Sequence, residues 1–144
     1  MLEDNKQTVL RYIEEVLNTG NTALVPEFIS PGYVEVYNNK QFPSGIEGAV
    51  MHIKGVRQTY PDLALTVGFQ IAEGDYVATC YTMRGTHAGT WMGIHPTGRE
   101  IAVTGVNIDN VVDGKIVEHG GAANLFEVLL DIRAIRVAGA DPAE

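Results

Sequence analysis

His119 and Asp109 are the residues of this sequence best suited to moving a proton. They lie on two runs that read as neighbouring strands, joined by Asp113-Gly114. Because successive side chains of a strand point to opposite faces, Val117, His119 and Gly121 share one face, opposite Ile116, Glu118 and Gly120. By the same rule Val103, Gly105, Asn107, Asp109 and Val111 share a face of the preceding strand, so His119, Asn107 and Asp109 can converge. A histidine beside a carboxylate in an apolar cavity serves as a general base near neutral pH, the carboxylate fixing its tautomer and stabilising the imidazolium. An asparagine amide in the same place donates to a developing enolate oxygen. Both residues also have plainer readings. His119 can be a core histidine satisfied by Glu118, a neighbour or the backbone, and Asp109 can be solvated near the end of the sheet.

Around this trio stand residues suited to holding a flat, apolar ligand: Tyr12, Tyr33, Tyr81 and Trp91 with Met51, Met83 and Met92. Trp91 and Met92 fall in a loop and are candidates for a pocket lid; core packing is the alternative for the rest. His52 either borders the cavity or faces solvent. His87 ends a strand, where it contributes to the site or makes a rim hydrogen bond that positions the following loop. His95, in a loop rich in Pro and Gly, is expected to be exposed. Gly120 and Gly121 remove two side chains, which enlarges the pocket, lets a backbone N–H reach a ligand oxygen, or only permits a bend into the last helix.

The elements that must position these residues change period midway along the chain. Val9, Tyr12, Ile13, Val16 and Leu17 recur at helical spacing and stop at Asn18-Thr19-Gly20-Asn21. A short helix is expected over 22–29, with Pro26 in its first turn and Ser30-Pro31-Gly32 as its end. Ser44-Gly45-Ile46-Glu47 has the form of a capping box and predicts a helix from about Ser44 to Tyr60. Residues 64–71, 76–87, 100–112 and 115–122 then read as four strands after three helices, the last two joined by an Asp-Gly turn whose residues both reach positive φ. Leu125, Val128, Leu129, Ile132 and Ile135 restore a helical period. Helices followed by strands predict an α+β domain, a curved antiparallel sheet wrapped around the N-terminal helices.

The 144 residues suit one domain over 1–137 with a frayed polar tail over 138–144. A formal charge of −8, with ten scattered Lys and Arg, argues against a nucleic-acid surface. No Cys/His cluster has zinc-ligand spacing, so no metal is expected, and the single Cys80 makes a reducing, cytoplasmic compartment the default. No signal peptide or apolar stretch of membrane-spanning length is present, so no membrane partner is expected.

Several motifs in this order carry a family resemblance. They are Leu17-Asn18-Thr19-Gly20-Asn21, Pro31-Gly32-Tyr33-Val34, Tyr60-Pro61-Asp62-Leu63, Arg84-Gly85-Thr86-His87-Ala88-Gly89, the loop from Gly93 to Arg99, Thr104-Gly105, and Asp113-Gly114-Lys115-Ile116-Val117-Glu118-His119. The chain resembles the SnoaL-like polyketide cyclase or ester cyclase group of the nuclear transport factor 2-like superfamily. That resemblance implies a cone-shaped α+β fold with a deep apolar cavity, a homodimer formed through the sheet, and chemistry without a cofactor on a polyketide-like carbonyl compound. It makes the face of residues 117, 119 and 121 the pocket face. In the aromatic polyketide members an aspartate two residues beyond the matching His is the general base of an intramolecular aldol closure; here that position is Gly121. A His on their preceding strand matches Asn107, and an Asn or Gln on their third helix matches His52 or Met51. In the broader ester cyclase group a Trp follows the His and an Asp comes a few residues later, where this chain has Gly120 and Asn124.

The sequence thus predicts a cofactor-independent enzyme acting on a polyketide-like or other enolisable small molecule, by cyclisation, isomerisation or a related proton transfer, with a site rebuilt around His119, Asp109 and Asn107. The alternatives are a hydroxylase-type polyketide-tailoring member, which needs oxygen and a reductant, and a small-molecule binding protein without catalysis. A scaffold module would show a filled cavity. A limonene-epoxide-hydrolase-like site would need an Asp-Arg-Asp set, for which Arg84, Asp109 and Asp62 lack the spacing.

Overall fold

The computed structural model describes residues 1–139. Of the tail expected over 138–144, residues 140–144 lie outside the described residues. Helix α1 (Leu2–Tyr12) runs on through a wider π turn, Ile13–Leu17, and buries Val9, Ile13 and Val16. Gly20, at φ +74°, turns the chain out of the helix, as glycine does at little steric cost. Just before it, Asn18 pairs with the backbone of Leu65 in both directions, donating to its carbonyl at 3.0 Å and accepting from its N–H at 2.8 Å. The helix end is thereby fastened to the sheet.

The short helix expected over 22–29 is a 3-10 turn, Thr22–Leu24, followed by α2 (Val25–Phe28). Ser30-Pro31-Gly32 does not end the element as expected but lies inside a strand, β1 (Ile29–Tyr37). A second strand, β2 (Lys40–Pro43), follows before α3 (Gly45–Thr59). The expectation that four strands follow three helices is corrected here. The proline is tolerated because the pairing of β1 is irregular between Ile29 and Val34. The capping box is likewise corrected: Ser44 Oγ donates backwards to the Phe42 carbonyl and caps no N–H of α3.

Four further strands, β3 (Ala64–Glu73), β4 (Tyr76–Thr86), β5 (Glu100–Val112) and β6 (Lys115–Ala123), lie close to their expected bounds, and α4 (Leu125–Asp131) closes the fold. Asn124 caps α4 through its side chain, which accepts from Glu127 N–H. Asp113 and Gly114 take φ of +51° and +74°, as a two-residue hairpin requires. The six strands form one curved, unclosed sheet in the order β2-β1-β6-β5-β4-β3, antiparallel except for the β1–β6 pair. One core lies between the helices and the concave face, centred on Val16, Val25, Phe28, Ile29, Val77 and Ile116. Another gathers Tyr60, Leu63, Ile101, Val103, Val128 and Ile132 under α4. Between them the concave face is left open as a cavity.

Candidate active site

The cavity has a volume of about 420 Å³ and walls from α1, α3 and the concave face of the sheet. Val9, Ile13, Leu17, Ile53, Leu65 and Val103 make most of it apolar. Its polar groups are the phenols of Tyr12, Tyr33, Tyr60 and Tyr81, the rings of His52, His119 and Trp91, and the side chains of Asn107 and Asp109. Among the described residues, no lysine or arginine lines it.

The predicted trio meets here, and cross-strand register brings it together. Asp109 of β5 pairs directly with His119 of β6, and His119 Nδ1–H donates to Asp109 Oδ1 at 2.7 Å. Asp109 is 3% exposed, so the plainer reading of a solvated carboxylate is corrected. His119 keeps 26% of its side chain accessible. The inward aim of His119 depends on an irregularity. Between Asn110–Glu118 and Val111–Ile116 the β5–β6 register shifts by one, leaving Val117 without a partner. Ile116 and His119 therefore both line the cavity, and the expected partner in alternation, Val117, does not.

Burial opposes a charge on His119, yet the charge of Asp109, the hydrogen bond to it and the more distant charge of Glu35 outweigh burial. The imidazole is held above its usual range. Glu35 was not legible as a site residue. It sits on β1 in direct parallel register with His119. His52, from α3, lies at the cavity wall with Nδ1 3.3 Å from Glu35 Oε1, and its ring meets that of His119 edge to face, 6.0 Å between centroids and 84° between planes. The hydrogen bond to His52 lowers Glu35, partial burial opposes this, and the charges of His52 and His119 add to the lowering.

Tyr12 and Tyr33 are raised above the usual phenol range, by burial first and then by the carboxylates of Asp109 and Glu35. Both remain hydrogen-bond donors throughout the physiological range. Tyr81 is raised by burial as well. It pairs with Gly105, where an added Cβ would come within 2.5 Å of the phenol oxygen, so the glycine makes room for the ring.

Of the expected ligand-binding residues, His52, Tyr33, Tyr81, Met83 and Trp91 line the cavity, and Met51, Met92, His87 and Gly121 do not. Met51 is on the outer side of α3 and 62% exposed. Met92 is 70% exposed at φ +51°, at the tip of a turn closed by Trp91 and Ile94. Of that pair only Trp91 lines the cavity, its ring packed at a tilt against Tyr60. His87 is wholly buried behind the loop, with Nδ1 3.0 Å from Thr97 Oγ1, and its backbone binds Arg99 and Gly98. It positions the loop rather than a ligand. His95 is exposed. Gly121 stands opposite Asn107 at φ +142°, where a Cβ would run into the Val106 carbonyl oxygen, and it borders a groove on the outer face. Its φ is open only to glycine, so a side chain at the family's base position has no room in this backbone.

Comparison with known proteins agrees with this architecture. The chain is 31% identical over 113 residues to aklanonic acid methyl ester cyclase AcmA of Streptomyces galilaeus, covering 76% of this chain and 78% of that protein. It is also 31% identical over 104 residues to nogalonic acid methyl ester cyclase of Streptomyces nogalater, covering 71% and 78%. Among solved structures, AclR of Streptomyces galilaeus, a candidate hydroxylase, superposes with a TM-score of 0.82 at 27% identity, covering 94% of this chain and all of that one. The profile of the SnoaL-like polyketide cyclase family matches residues 7–132. With that span and the fold and cavity described above, this chain belongs to the SnoaL-like polyketide cyclase family.

Proposed function

We propose that the protein is a cofactor-independent cyclase closing a ring in an esterified, polyketide-like β-dicarbonyl compound, with His119 as the general base. The observation that carries this reading is the 2.7 Å bond between His119 Nδ1 and the buried Asp109 at the wall of a 420 Å³ apolar cavity. With Nδ1 committed to the carboxylate, Nε2 carries the lone pair that takes a proton from carbon. A carbon acid flanked by two carbonyls loses its proton to Nε2, and the charge moves onto an enolate oxygen. The amide of Asn107 and the protonated phenols of Tyr12 and Tyr33 are the donors available to that oxygen. The enolate carbon then attacks a ketone of the same molecule and forms the new carbon–carbon bond. The methyl ester substrates named for the streptomycete relatives fit a cavity lined by the Asp109 carboxylate and, among the described residues, by no lysine or arginine.

His119→Gln tests the assignment. Turnover of a methyl ester polyketide substrate is expected to fall by about 10²- to 10⁴-fold, with the fold retained, as circular dichroism checks. Turnover equal to wild type sinks it. The similarity to AclR favours a second reading, a hydroxylase-type tailoring enzyme. Product that forms only with oxygen and an added reductant would select it.

We also read the protein as a cytoplasmic homodimer joined through the outer face of the sheet. Among the described residues no helix is long and apolar enough to cross a membrane. The cross-strand rows Phe69-Cys80-Val106-Ala122 and Ile71-Ala78-Ile108-Gly120 give the outer face a broad apolar stripe, in which Phe69 and Ile71 are 58% and 61% exposed. Exposed apolar area of this kind marks an interface.

A further inference from the structure

Opposite the His119–Asp109 pair stands a second histidine–carboxylate pair that the base mechanism leaves unused. His52 and Glu35 come from α3 and β1, His119 and Asp109 from β6 and β5, and the two imidazoles meet edge to face at 6.0 Å in the same cavity. The pairs differ in kind. Asp109 is sealed in and its bond to His119 is short; Glu35 keeps 31% of its side chain accessible, its bond to His52 is 3.3 Å, and the His52 side chain is 48% exposed. One histidine is thus held deep in the cavity and the other touches both cavity and solvent.

We infer that His52, held by Glu35, is the general acid of the reaction in which His119 is the base. This rests on the reading of His119 given above. Ring closure needs two proton movements at different atoms: one leaves the nucleophilic carbon, and one must reach the ketone oxygen as its π electrons collapse onto it. A single imidazole must perform these in turn and in two places, whereas two imidazoles lining one cavity perform them together. Neutral His119 takes the carbon proton at Nε2, the enolate carbon bonds to the ketone carbon, and the ketone oxygen takes a proton from the His52 imidazolium. The product is a neutral tertiary alcohol, and the enzyme is left with His119 protonated and His52 neutral. Protons and electrons balance, and no other reagent is consumed. The half-exposed His52 recovers its proton from solvent, and His119 releases its own as the cavity empties.

Glu35 is a positioning residue in this scheme. It orients His52 by accepting from Nδ1–H, which leaves Nε2–H to donate. The titratable groups facing His52 are Glu35 from β1, His119 from β6 with Asp109 of β5 behind it, and the phenols of Tyr12 from α1 and Tyr33 from β1. Glu35 is the carboxylate in contact with the ring.

The test uses the full-length protein with a methyl ester polyketide β-dicarbonyl substrate, following both product and deuterium uptake from D2O at the acidic carbon, above the buffer rate. His52→Gln is expected to lower product formation about 100-fold and to retain enzyme-dependent deuterium uptake, because the base is intact. Glu35→Gln is expected to lower product formation about tenfold through kcat, with KM and enzyme-dependent deuterium uptake retained, a split that a purely structural contact would not produce. Both sites are at least partly exposed, so both variants should fold; circular dichroism checks this. Product formation within threefold of wild type in His52→Gln, or loss of exchange and closure in equal measure, overturns the inference and leaves His119 as base. Unchanged turnover in His119→Gln, or none in the wild type, overturns both.

Discussion

Asp109 and His119 are direct cross-strand partners whose side chains join at 2.7 Å, so the backbone register itself fixes the imidazole's orientation. Asp109→Asn keeps the shape but presents an amide to Nδ1, which lets the ring adopt the wrong tautomer. Turnover is expected to fall by about 10²-fold or more, with substrate affinity within a few-fold of wild type; rapid-mixing kinetics and a binding titration separate the two effects.

His119 also couples pH to stability. Its imidazole is held above the usual value in the folded protein, so the folded state binds the proton more tightly than the unfolded state. The resulting stabilisation is fully present below about pH 6.5, the ordinary histidine value, and is lost as pH rises through the folded value. Glu35, lowered by His52, acts in the opposite sense: its contribution is present above the ordinary carboxylate range and is lost as pH falls through its lowered value. Denaturant titrations from pH 5.5 to 9 should show stability declining through the histidine limb in wild type and a flatter profile in His119→Gln. A wild-type profile that rises over that interval contradicts the assignment.

Restoring a carboxylate at the family's usual base position should not restore the usual chemistry. Gly121→Asp places a Cβ against the Val106 carbonyl at a φ that suits glycine. The cost is expected to be about 2 kcal/mol or more, a fall of roughly 5 °C in Tm, with no gain in turnover. Calorimetry and an activity assay on one preparation decide this.

Ligand charge should matter in one direction. The cavity wall carries Asp109 and His119 but no lysine or arginine. A methyl ester should bind about tenfold or more tightly than the corresponding free acid, because the acid brings an anion to a carboxylate-lined site. Isothermal titration at pH 8 measures the ratio, and equal affinities would argue that the ligand's acyl end lies outside this cavity.

The apolar outer stripe predicts a specific change of assembly. Ile108→Lys puts a charge in the middle of the Ile71-Ala78-Ile108-Gly120 row, 38% exposed and away from the cavity. Wild-type protein should sediment at about twice the chain mass and the variant at once that mass, with the helical content unchanged.

Most of this architecture is legible in the residues because local signals agree with the global fold. Asp113-Gly114, the alternation along β5 and the helical spacing of α1 each point one way, and Asn107, Asp109 and His119 follow from alternation and family position. The missed elements carry conflicting signals. Ser30-Pro31-Gly32 reads as an interruption, yet the parallel pairing of β1 with β6 skips over it. The run Tyr33 to Tyr37 does alternate, but with Glu35 turned inward and Val34 and Val36 turned out, the reverse of a strand on a wet sheet face. Glu35 was hidden for that reason. Val117 departs from its expected face because alternation assumes an unbroken register, and register shifts leave no composition behind. Met51 and His52 are adjacent on α3, and helical spacing alone does not say which of the two faces the cavity; it is His52.

The unpaired Val117 gives β6 a phase that residue identity alone does not describe. Upstream of it the hairpin turn and Ile116 are locked to β5; downstream every side chain is shifted by one position relative to an uninterrupted ladder. Were the ladder to run on from Ile116 without this extra residue being skipped, Glu118 would stand opposite Asp109, and either His119 would turn to the convex side or the strand end would slide and unseat Asn124 from the start of α4. The chemistry of this pocket is therefore encoded partly as a count of residues: the one skipped position in β6 lets Ile116 and His119, three apart in sequence, share the concave face.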